Sequence, residues 1–145
     1  MVDRHLIDAH VLLVDGDRLL LSQRGGTDEF AGRWHLPAGK LEAGESITVA
    51  AAREANEEIG VVIDPSDLRV VHVAHVTGSG QEARLGLFLH ASRWSGEPSN
   101  REPQKCFAVT WFPLNEMPSN MIEYAALGVR AFLDGAVVSF SEHGW

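Results

Sequence analysis

The stretch GKLEAGESITVAAAREANEEIGV, residues 39–61, carries the clearest structural signal in this chain of 145 residues. Residues 45–59 are rich in alanine and contain no glycine or proline, and they open with acidic and serine residues, as helices commonly do. Gly60 follows at the position where a helix is expected to stop. The stretch therefore predicts an α-helix over residues 45–59, preceded by a glycine-containing loop.

The predicted helix carries three carboxylates on one face. Glu57 and Glu58 follow Glu54 by three and four residues, and these spacings return to the same side of a helix. Like charges at such spacings destabilise a helix by roughly 0.2–0.5 kcal/mol per pair, so the group favours a counter-ion. Arg53 can supply one positive charge, and carboxylate oxygens also bind Mg²⁺, Mn²⁺ or Ca²⁺. A solvated acidic face on an ordinary surface helix explains the three carboxylates alone equally simply.

Two apolar runs precede this stretch, at residues 5–14 and 19–23. The Asp-Gly-Asp sequence between them, at residues 15–17, favours a hairpin, so we expect two antiparallel strands. Residues 24–44 are rich in glycine and show neither a strand nor a helix period. They predict a long ordered loop with a short strand around residues 34–36, and long ordered loops in compact domains are usually functional.

Three further strands are predicted after the helix. Residues 68–76 and 83–92 are rich in β-branched and apolar residues, and the Thr-Gly-Ser-Gly sequence at residues 77–80 joins them as a second hairpin. Residues 107–112 predict a last strong strand. These segments and the first hairpin supply the strands of one mixed sheet.

A second helix is predicted near the end of the chain and is expected to stop before Gly135. Its apolar residues recur at steps of four, three and four, and they are Ile122, Ala126, Val129 and Leu133. Helices before and after the later strands predict an α/β (α+β) fold, namely an α/β/α sandwich around a mixed sheet. We expect a single domain over residues 1–135, and the pattern predicts no conformation for the tail at residues 136–145.

The composition limits the class of protein. A chain of 145 residues that is 45% hydrophobic can bury a core without disulfides or a structural metal. The formal charge of −8 repels polyphosphate backbones, so a nucleic acid polymer is not an expected partner. Cys106 is the only cysteine, and the chain has neither a signal-peptide pattern nor an apolar run of about 20 residues. We therefore expect a cytoplasmic protein without a membrane segment.

The window at residues 39–61 resembles the Nudix box, G-x5-E-x7-R-E-U-x-E-E-x-G-U, in which U is an apolar residue. Every fixed position of the box is met, although Ala55 is small for its apolar position. The resemblance implies a Nudix-type α/β/α sandwich and Mg²⁺ as the cofactor, with Mn²⁺ as an alternative. It also implies hydrolysis of a phosphoric anhydride bond, in which a metal lowers the pKa of bound water and neutralises charge on the phosphate bridge.

The resemblance assigns roles to residues of the box. The implied catalytic residues are Arg53, Glu54, Glu57 and Glu58. Glu57 and Glu58 would bind the metal, and Glu54 would share in binding it while orienting or deprotonating water. The carbonyl of Gly39 would complete the metal coordination. Arg53 would hold a catalytic glutamate, and Glu45 would support the start of the helix, where the helix dipole favours a negative charge.

The similarity extends to the MutT-like branch of the family, whose members hydrolyse nucleoside triphosphates and often oxidised guanine nucleotides. The sequences Gly-Glu-Pro at residues 96–98 and Trp-Phe-Pro-Leu at residues 111–114 resemble the loop before the last strand of that branch. Glu102 falls where the branch carries a further metal-binding carboxylate. The resemblance therefore adds Glu102 to the implied metal ligands.

Three further residues stand where MutT-like enzymes contact the nucleotide. Arg24 and Arg84 are expected to bind the substrate, because an arginine offers bidentate donors to phosphate. Asn120 stands before the last helix, where the branch places an amide that reads the edge of a purine base. Asn120 followed by Glu123 also satisfies a loose helix-capping pattern, so both interpretations of Asn120 stay open.

The function that these features imply is Mg²⁺-dependent hydrolysis of a purine nucleoside triphosphate, such as 8-oxo-dGTP or dGTP, to a nucleoside monophosphate and pyrophosphate. The expected partner is therefore a small-molecule nucleotide, bound by a monomer or a homodimer. A pyrophosphatase for ADP-ribose or a nucleotide sugar is an alternative. A non-catalytic nucleotide-binding regulator is a lesser alternative, because regulators of this family frequently lack box carboxylates and none is missing here.

Overall fold

The computed structural model describes residues 1–78, 81–135 and 137–145, and these ranges contain eight strands, two α-helices and one short 3-10 helix. In chain order the strands are β1 Leu6–Asp15, β2 Arg18–Arg24, β3 Trp34–His35, β4 Ala38–Lys40, β5 Arg69–Gly78, β6 Gln81–Ala91, β7 Cys106–Pro113 and β8 Ser139–His143. The helices are α1 Ile47–Ile59 and α2 Glu123–Leu133, and the 3-10 helix is Pro65–Asp67.

Helix α1 confirms the strongest prediction from the sequence, with a start two residues later than predicted. Ser46 caps the helix, since its side chain accepts a hydrogen bond from the backbone N–H of Val49 at 3.4 Å. Gly60 ends the helix with a φ of 75°, in the left-handed region that favours glycine. Its N–H donates to the carbonyl of Asn56 at 3.0 Å. Glu45 therefore lies just outside the helix.

The first predicted hairpin and loop are also confirmed. Strands β1 and β2 pair antiparallel with Asp15 opposite Arg18, which leaves Gly16 and Asp17 as the turn. The long loop contains β3 where a short strand was predicted, and it also contains β4, which was not predicted. Strand β4 pairs antiparallel with β1, and its three residues carry no strand period of their own. It is a strand because of its pairing with β1.

The sheet is mixed, with the order β3-β2-β1-β6-β5-β8, while β4 pairs with β1 and β7 pairs with β2. The β1–β6 and β5–β8 pairs are parallel, and the other pairs are antiparallel. Strands β5 and β6 pair as the second predicted hairpin requires. Ser79 and Gly80 of its predicted connection lie outside the described residues.

The two α-helices cover opposite faces of the sheet. Helix α1 buries Ala51, Ala55 and Ile59 in a core with Val11 and Leu13 of β1. A second core on the other face joins α2 to the sheet, and its fully or nearly fully buried members include Leu12, Leu21, Phe88, Ala125 and Val129. Alternate residues of β1 therefore point to different helices, which confirms the predicted sandwich.

Strand β8 gives a conformation to half of the tail, for which the sequence predicted none. It pairs in parallel with β5, with Ser139 opposite His72. Trp145 packs against the rings of His5 and His75, and its Nε1 donates to the carbonyl of His75 at 3.0 Å. Ala136 lies outside the described residues. In the part of the chain that is described, no helix has the length and apolar character needed to cross a membrane.

Candidate active site

Arg53 is the centre of an ion-pair network on α1. Its Nε and Nη2 donate to the two carboxylate oxygens of Glu45 at 3.0 and 2.7 Å. Its Nη1 donates to Glu54 at 2.7 Å and to Glu57 at 3.3 Å, and Nη2 also reaches the carbonyl of Lys40 at 3.2 Å. The hydrogen bonds from Arg53 lower the pKa of Glu45. One guanidinium thus orients three glutamates, and the expected catalytic role of these residues stays a prediction.

Glu58 contacts β4. Its Oε2 accepts a hydrogen bond from the backbone N–H of Ala38 at 2.8 Å. Burial raises the pKa of Glu58 to about 8, and the negative charges of Glu54, Glu102 and Glu57 add to this rise, while the Ala38 hydrogen bond opposes it. Glu58 forms no ion pair with the lysines, arginines and histidines that the structure describes. It therefore lacks a counter-charge.

Glu54 lies against Gly39 of β4. A Cβ at position 39 would overlap the Glu54 carboxylate, so an alanine at this position would force the Glu54 side chain to move. Burial raises the pKa of Glu54, the hydrogen bond from Arg53 opposes this rise, and the charges of Glu57 and Glu102 reinforce it. The unpredicted strand β4 thus places the backbone of Gly39 beside the carboxylates of α1.

Glu102 reaches the same region from the loop between β6 and β7. This loop is anchored on α1, since the N–H of Arg101 donates to the carbonyl of Glu58 at 3.1 Å. Asn100 shapes the loop: its Oδ1 accepts from the N–H of Glu102 at 3.0 Å and its Nδ2 donates to the carbonyl of Cys106 at 2.7 Å. Asn100 was not predicted to matter, although an asparagine that bonds the backbone two residues later is a common turn signal.

Glu58 and Glu102 line one cleft together with Arg24, which we call the carboxylate cleft. Its other lining residues are Ser22, His35, Ala38, Lys105 and Cys106. Burial, and then the charge of Arg24, lower the pKa of His35 to about 4, so this imidazole is neutral at physiological pH. Burial raises the pKa of the Cys106 thiol, which donates to the carbonyl of Ala108 at 3.1 Å. Cys106 therefore has the properties of an unreactive thiol.

The donor chemistry of the cleft fits a hard divalent cation. Among the described residues, no group of three His, Cys, Asp or Glu side chains already converges to hold a metal. Arg53 engages Glu54 and Glu57, and the Nζ of Lys105 lies 3.6 Å from the Glu102 carboxylate. The set is nevertheless made of carboxylate oxygens whose charges are only partly compensated. A cation held here would replace Lys105 as the partner of Glu102 and would share the α1 carboxylates with Arg53.

Arg24 is the first of the two arginines that were expected to bind the substrate. It is at the end of β2, in the carboxylate cleft, and its Nη2 donates to Asp28 at 2.8 Å. Its guanidinium carbon is 5.9 Å from the centre of the Phe30 ring. The ion pair with Asp28 orients the guanidinium of this wall residue.

Arg84 was also expected to bind the substrate, but it is not among the residues that line the carboxylate cleft. Its Nη1 donates to the buried carboxylate of Asp8 at 3.0 Å, and the hydroxyl of Tyr124 donates to the same oxygen at 2.9 Å. Arg84 lies an even number of residues from Phe88 along β6, and Phe88 packs in the core beneath α2. Because alternate strand residues share a face, Arg84 points to the α2 side of the sheet and the carboxylates lie on the α1 side.

Asn120 does not cap α2. The cap position is Ile122, without a side-chain hydrogen bond, and the Nδ2 of Asn120 instead donates to the carbonyl of Gly32 at 3.3 Å. The backbone carbonyl of Asn120 accepts a hydrogen bond from the backbone N–H of Trp34 at 3.2 Å. The capping interpretation is therefore wrong, and the reading of a base by this amide stays a prediction.

Comparison with known proteins agrees with this architecture. The NUDIX domain model matches residues 4–133. The 8-oxo-dGDP phosphatase NUDT18 of Homo sapiens is 43% identical over 112 residues, which are 75% of this chain and 32% of that protein. The 8-oxo-dGTP diphosphatase of Escherichia coli is 27% identical over 90 residues, which are 62% of this chain and 67% of that protein. The chain spans between 29% and 40% of the length of the first curated relatives that it matches.

A solved structure supports the same assignment. The crystal structure of the MutT NUDIX hydrolase from Burkholderia pseudomallei superposes with a TM-score of 0.80 at 27% identity, covering 89% of this chain and 98% of that chain. The NUDIX match, the box at residues 39–61 and the arrangement of α1 against β4 agree with one another. The chain belongs to the NUDIX domain family and has MutT-like relatives.

Proposed function

We propose that the chain is a divalent-metal-dependent pyrophosphohydrolase that converts a purine nucleoside triphosphate to a nucleoside monophosphate and pyrophosphate. The candidates are 8-oxo-dGTP and dGTP, bound as free nucleotides in the cytoplasm. The observation that carries the proposal is Glu58, which lacks a cationic partner among the described residues, while burial and then three other carboxylates raise its pKa. Carboxylates assembled in this way suit Mg²⁺, and Arg24 in the same cleft suits phosphate.

The residues of the site have separate proposed roles in metal binding and in proton transfer. Glu54, Glu57, Glu58 and Glu102, with the carbonyl of Gly39, would hold Mg²⁺ or Mn²⁺. When bound, the metal neutralises charge on the scissile phosphate bridge and lowers the pKa of water. Arg53 binds Oε1 of Glu54, which leaves Oε2 to orient the attacking water and accept its proton.

Asn120 is proposed to read the base. Its side-chain amide is exposed beside Gly32, and an amide can donate to a carbonyl oxygen and accept from a ring N–H. Guanine and 8-oxoguanine present such groups. Arg24 would contact the phosphate chain, and Arg84 belongs to the buried group with Asp8 and Tyr124.

A nucleoside diphosphate is the second candidate substrate. The observation that favours it is the human relative, which is 43% identical to this chain and is named for phosphatase activity on 8-oxo-dGDP. The Escherichia coli relative is named for diphosphatase activity on 8-oxo-dGTP. Both candidates require the same carboxylates and differ by one phosphate.

The test is a substrate screen with identified products. Purified protein with Mg²⁺ is incubated with 8-oxo-dGTP, dGTP, 8-oxo-dGDP, dGDP, ADP-ribose and a nucleotide sugar, and the phosphate products are separated. Pyrophosphate from a triphosphate supports the proposal, whereas inorganic phosphate from a diphosphate supports the second candidate. Preferred turnover of ADP-ribose or the nucleotide sugar, or no turnover at all, contradicts both. Glu57→Gln is the negative control, and it should abolish turnover while the fold is retained.

A further inference from the structure

A second cavity adjoins the carboxylate cleft, and the two share Arg24 and Lys105 as wall residues. We call it the glycine-loop cavity. Its remaining lining residues are Gly25, Gly26, Thr27, Asp28 and Gln104. The one carboxylate among them, on Asp28, is already bound to Arg24 at 2.8 Å. Two cations therefore stand at the boundary between an acidic cleft and a cavity lined mainly by a glycine-rich loop.

A close backbone contact between Gly25 and Lys105 brings Lys105 near Arg24, the residue before Gly25. The N–H of Gly25 donates to the carbonyl of Lys105 at 2.8 Å. A Cβ at position 25 would lie 2.9 Å from the carbonyl carbon of Lys105 and 3.0 Å from the nitrogen of Cys106, which is closer than real side chains approach. The N–H of Lys105 donates in turn to the carbonyl of Glu102 at 2.8 Å. The fold thus holds the backbone of Lys105 in place while its side chain stays free to move.

The ammonium group of Lys105 is paired only weakly with the carboxylate of Glu102. Its Nζ lies 3.6 Å from Glu102, and the side chain of Lys105 is 72% exposed, so this pair is weak. Glu102 is a proposed metal ligand, and binding a cation would leave Lys105 without a carboxylate. The chain carries a formal charge of −8, so an additional phosphate needs a local positive charge. Lys105 and Arg24 are the cationic side chains that line the glycine-loop cavity.

We propose that Lys105 determines specificity by binding, together with Arg24, the terminal phosphoryl group of a nucleoside triphosphate in the glycine-loop cavity. A diphosphate whose phosphates occupy the carboxylate cleft would not reach this position. The guanidinium of Arg24 is oriented by Asp28, and the flexible ammonium of Lys105 can follow the phosphate as a point charge. This inference rests on the proposed function. It gives a physical reason why the site would prefer a nucleoside triphosphate to a nucleoside diphosphate.

The experiment compares binding of two nonhydrolysable nucleotides. Isothermal titration calorimetry in Mg²⁺ measures the Kd of dGTP and dGDP analogues in which methylene groups replace the bridging oxygens. The variant is Lys105→Met, and the control is Arg93→Met, at an 81% exposed arginine that pairs with Asp67 on the 3-10 helix at 3.9 Å. Each variant removes one exposed positive charge. Unfolding temperatures verify that both variants are folded.

We expect Lys105→Met to weaken binding of the triphosphate analogue by about tenfold and to change binding of the diphosphate analogue by less than about twofold. The Arg93→Met variant should bind both analogues like the unmodified chain. The ratio of kcat/KM for dGTP over dGDP should fall in parallel for Lys105→Met. The Mg²⁺ affinity of Lys105→Met should not decrease, because Lys105 competes with the cation for Glu102.

Two results would overturn the inference: equal weakening of both analogues by Lys105→Met, and no weakening of either. Failure of the proposed function has a different signature. In that case the unmodified chain neither hydrolyses nor binds the nucleotides, and both proposals fall. If the unmodified chain hydrolyses them and Lys105→Met keeps the same preference, only the role of Lys105 is refuted.

Discussion

At the scale of single residues, the candidate site depends on how the guanidinium of Arg53 distributes its hydrogen bonds among three glutamates. Arg53 bonds Glu45, Glu54 and Glu57, and Glu45 receives the bidentate pair. Bidentate contacts fix the plane of the guanidinium, and that plane in turn directs Nη1 to Glu54. Arg53 is therefore a positioning residue whose geometry, as well as its charge, is needed.

The Arg53→Lys variant tests this role. It keeps the positive charge and loses the planar fork, so Glu54 is no longer held. We expect kcat to fall about 100-fold with a smaller change in KM, because a misplaced catalytic group costs rate rather than binding. Steady-state kinetics measures both values. The control is Arg130→Lys on α2, where the arginine makes a single exposed ion pair with Glu123. Near-normal kcat for Arg53→Lys would contradict the role.

His10 and His72 are both buried, and they differ in whether their ring nitrogens have hydrogen-bond partners. Within the described residues neither ring nitrogen of His10 has a hydrogen-bond partner, and the ring stacks on Phe88 at 4.3 Å. Burial lowers its pKa to about 3. His72 is equally buried, and the hydroxyls of Ser139 and Ser141 lie 2.7 and 2.8 Å from its two ring nitrogens.

These two histidines should respond to substitution in opposite ways. His10→Leu removes unpaired polar atoms and should raise the free energy of unfolding by about 1 kcal/mol. His72→Leu removes two hydrogen bonds, so it should lower the free energy of unfolding by about 2 kcal/mol, although Ser139 keeps its contact with the Val71 carbonyl and Ser141 keeps its contact with His143. Urea denaturation measures both values. An equal loss of stability in the two variants would show that the His10 nitrogens are satisfied.

At the scale of elements, the site is the contact between α1 and β4. The strand supplies the N–H of Ala38 to Glu58 and a glycine against Glu54. Position 39 is thus limited by the space beside Glu54. Gly44, in the loop before α1, has a φ of +81°, and beyond its chain neighbours no heavy atom lies within 4 Å of the point where a Cβ would stand. Position 44 is therefore limited by backbone conformation alone.

The pair Gly39→Ala and Gly44→Ala separates these two effects. Gly39→Ala should displace the Glu54 carboxylate and reduce kcat about 100-fold, because a small misplacement of a catalytic group is costly. Gly44→Ala should lower the free energy of unfolding by about 1–2 kcal/mol and leave kcat near that of the unmodified chain. Kinetics and urea denaturation of both variants check the prediction. Full activity of Gly39→Ala would show that Glu54 can move without loss.

At the scale of the whole molecule, the raised pKa of Glu58 links the site to stability. The unfolded chain releases this proton near its usual pKa of 4.5, and the folded chain releases it only near 8. Between these values the folded state holds more protons, so the free energy of unfolding falls as pH rises. Glu54 is shifted in the same direction and adds to this trend.

We therefore expect the metal-free protein, kept in EDTA, to lose stability as the pH rises from about 4.5 to about 8. Saturating Mg²⁺ should remove most of this loss, because the cation binds the ionised carboxylates of the folded state. Glu58→Gln, which does not titrate, should show a smaller loss. Urea denaturation at several pH values measures these effects. A pH dependence that is the same in Glu58→Gln and in the unmodified chain would rule out this residue as the cause.

The sequence alone determined the features that depend on neighbours along the chain. The caps, composition and periodicity of residues 39–61 determined α1 and its row of carboxylates, because helix formation is governed by contacts three and four residues apart. The same local signals determined the hairpins, and the match to the box indicated Glu54, Glu57 and Glu58. The carboxylates on α1 are therefore a property of local sequence.

Only the tertiary structure decided which distant segments meet these carboxylates. Strands β4 and β8 exist through pairing with β1 and β5, and their own residues carry too weak a period to reveal them. The side of the sheet on which Arg84 lies follows from the register of β6, and the approach of Lys105 to Arg24 follows from the contact at Gly25. Such contacts join residues far apart in the chain, so no local spacing encodes them.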